Sequence, residues 1–527
     1  MPRSIYLVNP KSDSPTYFQG ESYGAQGLPL TTQMADLSTP TVAAMCPASF
    51  GALLCDENVT PIDWNTPADF IGLTGKITQF GRMKQIAAEF RRRGKVVIIG
   101  GPYASLCPDM ARPHCDVLIR GEIEEIASGL FSDLKAGSWK EEYVGTQPGL
   151  ETSPLPRWDL YPLDHAVMGT VQTSRGCPFE CEFCDVIQYV GRKQRHKTVS
   201  QVLRELDLLY ALGQRIIFLA DDNFTAFRSR AKELLLALGD WNRKRPEGKV
   251  HFVTQVSIDS AKDEELLRLC AEAGLMTVFI GIETPNEDAL RETKKRQNLR
   301  VDLVEQVGQF HAHGIAVVGG MIVGFDADGP DIFERQFNFA MRAAIPIVSL
   351  GALVAPAATP LYDRMKRENR LKDKGSEVAA VPWATNIVPK GLTQEQLFSG
   401  LKWLANNLYH PDAFGDRLIT FIERLGKRRD PRSADVDRTS RPRRVDLAGM
   451  HALENLRKQG SAEGRMFERV TAAIARKPSA AEFVGATLTQ YVQIRYMYDQ
   501  GQFWEPQLAG REPDRTEGLV SLSSRRT

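Results

Sequence analysis

The chain has 527 residues, a formal net charge of +1, and 43% hydrophobic and 25% charged residues. This is globular composition, long enough for about three domains, with no charge excess to suggest nucleic acid and no apolar run near the ~20 residues that span a bilayer. Eight cysteines without a paired framework, and an amino terminus running straight into a strand rather than an apolar leader, lead us to expect the cytoplasm.

Over residues 3–140, short apolar runs alternate with helical patterns, which predicts βαβ units on a parallel sheet. Strands are expected at 5–8, 59–64, 70–74, 95–100 and 117–121, and helices at 40–54, 80–93 and 123–135. The product is a five-stranded doubly wound domain over 1–145, which binds ligands beyond the carboxyl ends of its strands. Those ends read Asn9-Pro10, Thr74-Gly75-Lys76, Gly100-Gly101-Pro102 and Arg120-Gly121-Glu122. Glycine there lets backbone lie close to a wide ligand. No G-x-G-x-x-G follows the first strand, which disfavours a dinucleotide site.

A proline-rich connector, 146–165, leads to a second βα series over 166–360. Strands are expected at 171–175, 215–220, 250–256, 277–282, 316–323 and 347–354, with helices at 199–212, 228–242, 263–273, 302–313 and 331–343. Behind the first strand lies Ser174-Arg175-Gly176-Cys177-Pro178-Phe179-Glu180-Cys181-Glu182-Phe183-Cys184-Asp185. Thiolates at C-x3-C-x2-C spacing can hold three irons of a cubane [4Fe–4S] cluster and leave the fourth open. Electron-transfer clusters close with four Cys, and structural zinc also takes four ligands. The next His and Cys are His196 and Cys270, so no fourth ligand sits at useful spacing. An open iron implies chemistry at that iron. The other cysteines, Cys46, Cys55, Cys107, Cys115 and Cys270, read as small buried side chains.

This triplet, with Phe183 before its third Cys, resembles the signature of the radical S-adenosylmethionine (SAM) superfamily. The resemblance implies a partial (β/α)6 barrel, SAM chelated at the open iron, and a 5′-deoxyadenosyl radical that abstracts hydrogen from substrate. As in full barrels, the chemistry belongs at the carboxyl ends of the strands. By the same resemblance Asp222, rather than Asp221, accepts from the SAM ammonium. Gln255 and Ser257 stand at the third strand exit, Glu283 accepts from ribose hydroxyls, and Ile322 lies in the 319–325 stretch along adenine. The basic run 192–197 reads as a solvated face before it reads as a substrate clamp.

The upstream domain resembles the cobalamin-binding domain that precedes many radical SAM cores. That likeness assigns cobalamin contacts to Thr74, Gly75, Gly100, Gly101, Pro102, Gly121 and Glu122, with the nucleotide tail beside 100–105 and 121–122. The cobalamin motif D-x-H-x-x-G is missing, so the cobalt is expected without a protein histidine, the His-off state.

Residues 361–426, with helices expected at 395–408 and 418–425, resemble the accessory domain of the group containing hopanoid C-2 methylases. A basic segment, 427–445, reads as an exposed linker, with peripheral contact to an anionic membrane as the second reading. In the helical region 446–527, helices are expected at 448–476 and 480–499 and a frayed tail from Pro506. The resemblance implies a cobalamin-dependent radical SAM methyltransferase acting on an unactivated carbon of a small-molecule or lipid substrate. An electron donor such as flavodoxin or ferredoxin would serve it. The alternative is cyclisation or rearrangement with the same cofactors, as in anaerobic porphyrin-ring cyclases; a non-catalytic cluster-bearing sensor stands behind both.

Overall fold

The computed structural model describes residues 3–245, 248–372, 378, 381–426 and 443–512. Its strands, in chain order, are β1 (Ser4–Asn9), β2 (Thr32–Met34), β3 (Gly51–Asp56), β4 (Phe70–Thr74), β5 (Val96–Gly100), β6 (Val117–Arg120), β7 (Glu142–Val144) and β8 (Ala166–Val171). They continue as β9 (Ser174–Arg175), β10 (Arg195–His196), β11 (Ile216–Leu219), β12 (His251–Val256), β13 (Leu275–Glu283), β14 (Ala316–Val323) and β15 (Ile347–Ala352).

The α/β class holds. One parallel sheet runs β3-β1-β4-β5-β6-β7 and a second runs β15-β14-β13-β12-β11-β8-β2; β9 and β10 form a small antiparallel ribbon. In the first sheet the chain reverses its order between β1 and β4. Its ligand crevice therefore opens beyond Asn9 and Thr74. Alternation along β1 explains the double winding. Tyr6 and Val8 join a core with the helix Phe80–Arg92, while Ile5 and Leu7 join another with the helix Ala127–Ala136.

Three expectations for this sheet are corrected. The helix predicted at 40–54 stops at Met45, because Pro47 and the turn to Gly51 break it. Gly51–Asp56 instead forms β3, in parallel register with Ser4–Asn9. The strand predicted at 59–64 is irregular, with Pro61 unable to donate to a ladder. With β3 and β7 added, the sheet has six strands rather than five.

The barrel follows its predicted order. Five strands and their helices lie within two residues of expectation, but the first, β8, ends at Val171 where the sequence placed its start. Ser174–Arg175 pairs with Arg195–His196 instead. No strand was expected at β2, which extends the barrel sheet along β8 with Thr32 opposite Ala166 and Met34 opposite Met168.

At the other edge, β15 is covered by side chains rather than by a strand. The Tyr409 hydroxyl accepts from the Val348 N–H at 3.0 Å and donates to the Val348 carbonyl at 2.5 Å. Tyr17 does the same at Leu350, at 3.0 and 3.1 Å, and its hydroxyl meets that of Tyr498 at 2.7 Å. Two phenols thus satisfy edge groups that would otherwise recruit another chain. Helices Gln394–Tyr409, Pro411–Arg424 and Ala481–Gln500 share the barrel's core through Leu404, Leu418 and Ile494.

The helix predicted at 448–476 is two, Arg444–Lys458 and Ser461–Arg476, broken at Gly460. The tail expected to fray from Pro506 is anchored as far as Arg511. There the Trp403 indole donates to the Arg511 carbonyl at 2.6 Å, and Asn407 accepts from the Gly510 N–H at 3.0 Å. Residues 427–442 of the basic linker and the last segment, 513–527, lie outside the described residues. Among the described residues, no helix is long and apolar enough to cross a membrane.

Candidate active site

The cysteine loop leaves β8 and is bracketed by the β9–β10 ribbon. Asp221, at the end of β11, splints its entrance. This buried carboxylate accepts from the N–H groups of Thr173 and Ser174 at 2.7 and 2.9 Å, and from their hydroxyls at 2.5 and 2.8 Å. Gly176 then takes φ 100°, and a Cβ there would stand 2.6 Å from the Lys193 carbonyl oxygen. Only glycine can deliver Cys177 at that turn. Further along, Arg364 forks Glu182 at 2.9 and 3.0 Å and also holds Asp326 and Glu292. The Phe183 ring lies 6.2 Å from that of Phe325.

Cys181 is buried, Cys177 and Cys184 are half-buried, and all eight cysteines are free thiols. Burial, with Asp185 adding to it, pushes the Cys184 thiol up to about 12. Among the described residues, no three His, Cys, Asp or Glu side chains could hold one metal ion. A cluster in which each thiolate takes its own iron fits this donor set.

Asp222 contrasts with its neighbour. Among the described residues it takes one hydrogen bond, from the Gly176 N–H at 2.9 Å. Burial, with Asp221 nearby, pushes its carboxyl up to about 6. Gln255 donates to the Asp221 carbonyl at 3.4 Å. Glu283 ends β13 at φ 64° and accepts from the Lys295 ammonium at 2.7 Å. Burial works against that ammonium, yet the Glu283 carboxylate outweighs it and holds Lys295 charged, and Cys181 and Cys184 act the same way when they are thiolates. Gln297 donates to the Cys181 sulfur at 3.6 Å. Ile322 packs with Phe183 on the Phe325 cluster, and its carbonyl accepts from Gln336 at 2.8 Å.

The amino-terminal rim gathers Thr74, Gly75, Gly100, Gly101, Pro102 and Gly121 at the ends of β4, β5 and β6. Gly101 takes φ 92°, and a Cβ there would stand 2.4 Å from the Thr74 hydroxyl. The Ser105 hydroxyl donates to the Gly101 carbonyl at 2.9 Å and accepts from the Gly121 N–H at 3.0 Å. At Gly101, then, the rim's own packing already demands glycine. Glu122, the next residue along this rim, is held by the β9–β10 ribbon. Its buried carboxylate pairs with Arg175 at 2.6 Å and Arg195 at 2.5 Å, and Glu124 also takes Arg175 at 2.7 Å.

Sequence reasoning missed Lys295, Gln297, Glu182 and Arg364. Residues 294–296 read Lys-Lys-Arg, which looks like a solvated face, and no spacing rule ties Arg364 to a loop 182 positions away.

Residues 171–339 match the Radical SAM superfamily, and residues 359–498 match a domain of unknown function (DUF4070). The chain is 36% identical over 395 residues to an uncharacterized methyltransferase of Synechocystis sp., covering 73% of each. It is 32% identical over 369 residues to the hopanoid C-2 methylase of Rhodopseudomonas palustris, covering 68% of this chain and 70% of that one. The chain belongs to the cobalamin-binding-domain-containing radical SAM family. It is a radical SAM enzyme; the two relatives above are named a methyltransferase and a methylase, and an anaerobic magnesium-protoporphyrin IX monomethyl ester cyclase of Rubrivivax gelatinosus also matches, at 25% identity over 52% of this chain and 54% of that one. The fold of the cobalamin-dependent SAM radical enzyme OxsB, solved with aqua-cobalamin and SAM bound, covers 95% of this radical SAM enzyme and 80% of OxsB. The TM-score is 0.59 at 16% identity, a likeness of fold.

Proposed function

We propose that this radical SAM enzyme methylates an unactivated carbon of a small-molecule or lipid substrate. Cys177, Cys181 and Cys184 would hold a [4Fe–4S] cluster, and Asp222, Gln255, Glu283 and Ile322 would line SAM. Thr74, Gly75, Gly100, Gly101, Pro102 and Gly121 would cradle cobalamin with no protein histidine on cobalt. The observation that carries the reading is that two rims of strand ends meet: the helix Val186–Tyr189 of the cysteine loop packs on the helix Pro102–Leu106 beyond β5. When bound, SAM on the reduced cluster supplies a hydrogen-abstracting radical and cobalamin supplies the methyl group.

The chain's own residues supply position. Asp221 fixes the loop entrance, Asp222 keeps an oxygen for the SAM ammonium, and Glu283 keeps one for ribose while Lys295 holds the other. Burial of these carboxylates strengthens each such contact. A flavodoxin or ferredoxin in the cytoplasm fits as electron source, and a lipid substrate would be reached by peripheral contact. The name of the hopanoid methylase relative supports carbon as the acceptor.

Anaerobic reconstitution with SAM and reductant tests this, with substrate found by comparing metabolites of deletion and parent strains. Equal amounts of methylated product, S-adenosylhomocysteine and 5′-deoxyadenosine are expected. Deoxyadenosine without homocysteine would instead support cyclisation or rearrangement. Absence of SAM cleavage would leave the cluster-bearing sensor.

A further inference from the structure

Two non-glycine residues in the left-handed region deliver the Lys295–Glu283 pair: Glu283 at φ 64° and Lys294 at φ 57°. Such backbone is strained and persists only where its surroundings impose it. The turn at Lys294 lets the Lys295 N–H donate to the Leu290 carbonyl at 2.9 Å, closing the helix Glu287–Glu292. It also sends the lysine side chain inward over Gly281, where a Cβ would stand 2.9 Å from Nζ. The two side chains are only 12% and 9% exposed. Two positions later Gln297 donates to the Cys181 sulfur. Two positions before the lysine, the Thr293 carbonyl accepts from the Glu182 N–H of the cysteine loop at 3.0 Å, so the segment that carries Lys295 is fixed to that loop on both sides.

We propose that Lys295 sets the reduction potential of the cluster on Cys177, Cys181 and Cys184, raising it, with Gln297 adding a hydrogen bond to the Cys181 sulfur and Glu283 limiting the rise. The proposal rests on the cluster reading above. Reduction brings in one electron from an external low-potential donor and makes the site more negative by one charge. A buried cation favours that state, as does an N–H donated to a ligand sulfur; net charge and sulfur hydrogen bonds are established determinants of such potentials. A buried carboxylate disfavours it. Lysine and glutamate therefore pull in opposite directions from one place.

The test is an anaerobic redox titration of the reconstituted full chain, without SAM, read by electron paramagnetic resonance of the reduced cluster and by iron content. Lys295→Met should lower the ratio of reduced to oxidised cluster at fixed potential about tenfold, a shift of about 59 mV for one electron. Glu283→Gln should move the ratio the opposite way, Gln297→Leu should lower it by less, and Lys295→Arg should restore it. A purely structural role would move Lys295→Met and Glu283→Gln in the same direction. That result, or a parental potential in Lys295→Met, would overturn the proposal. If Lys295→Met takes up little iron, Glu283→Gln and Gln297→Leu still decide it by the sign of their shifts. A parent chain that takes up no iron would overturn the cluster reading itself and this proposal with it.

Discussion

Asp221 and Asp222 are adjacent in sequence and oppositely employed. The first is saturated by Thr173 and Ser174, and the second is held by one N–H and has an oxygen to spare. Asp222→Ala should therefore weaken SAM binding by about 1.5–3 kcal/mol, the usual size of a hydrogen bond to a charged group, in an equilibrium binding assay, with iron content at the parental level. Asp221→Ala should lose iron as well, since it releases the loop. The pH dependence follows from the carboxyl at about 6. Asp222 accepts from the SAM amino group most strongly when ionised, so SAM affinity should be greatest near pH 8 and fall as pH drops through about 6. Asp222→Asn should be weak at every pH and nearly flat. At the cysteines, any one of Cys177→Ala, Cys181→Ala or Cys184→Ala should abolish SAM cleavage, against about four irons per parent chain.

At the scale of elements, the ribbon that brackets the cysteine loop is tied to the other lobe by buried ion pairs. Glu122→Gln leaves Arg195 and one side of Arg175 without a carboxylate, and breaking such a pair costs about 3–5 kcal/mol. Urea unfolding should report that loss, accompanied by lower iron uptake. Tyr409→Phe removes the phenol that both accepts from and donates to Val348, at a cost of about 1–3 kcal/mol for buried backbone left unpaired. The midpoint should shift while iron content does not. The barrel elements were legible because buried parallel strands make continuous apolar runs, and helices on their outer faces keep a clean 3.6 period. β3 was not legible, since a half-exposed alternating edge behind Pro47 imitates the end of an amphipathic helix. β2 has three residues, too few for any period. Lys295 was hidden for another reason: only the backbone turn at Lys294 decides that this lysine faces inward.

For the whole molecule, the sharpest expectation concerns the first lobe. Protein made with ample cobalamin should co-purify with about one corrinoid per chain. Its cob(II)alamin resonance should lack nitrogen splitting from a protein imidazole, because no D-x-H-x-x-G follows β1. Splitting from such a nitrogen would refute the His-off assignment. Full SAM chemistry in corrinoid-free protein would refute the cofactor itself. Bulky replacements at Gly101 are a poor probe of that site, because Thr74 already occupies the space a side chain would need.

β2 changes how this enzyme can be taken apart. The polypeptide finishes β1 in one sheet, lends residues 32–34 to the margin of the other, and returns for β3 before the first sheet is complete. A chimera that swaps the front lobe with a relative's at the connector would carry off a piece of the barrel and bring in a foreign one. A seamless graft needs three junctions, one ahead of Tyr17, one after β2 and one ahead of β8. Expressing the first 145 residues alone would leave Thr32 and Met34 with no strand to join, because their partner β8 begins only at Ala166. This crossing of the chain adds to the ion pairs and the helix contact that join the lobes, and it is made before either lobe is finished.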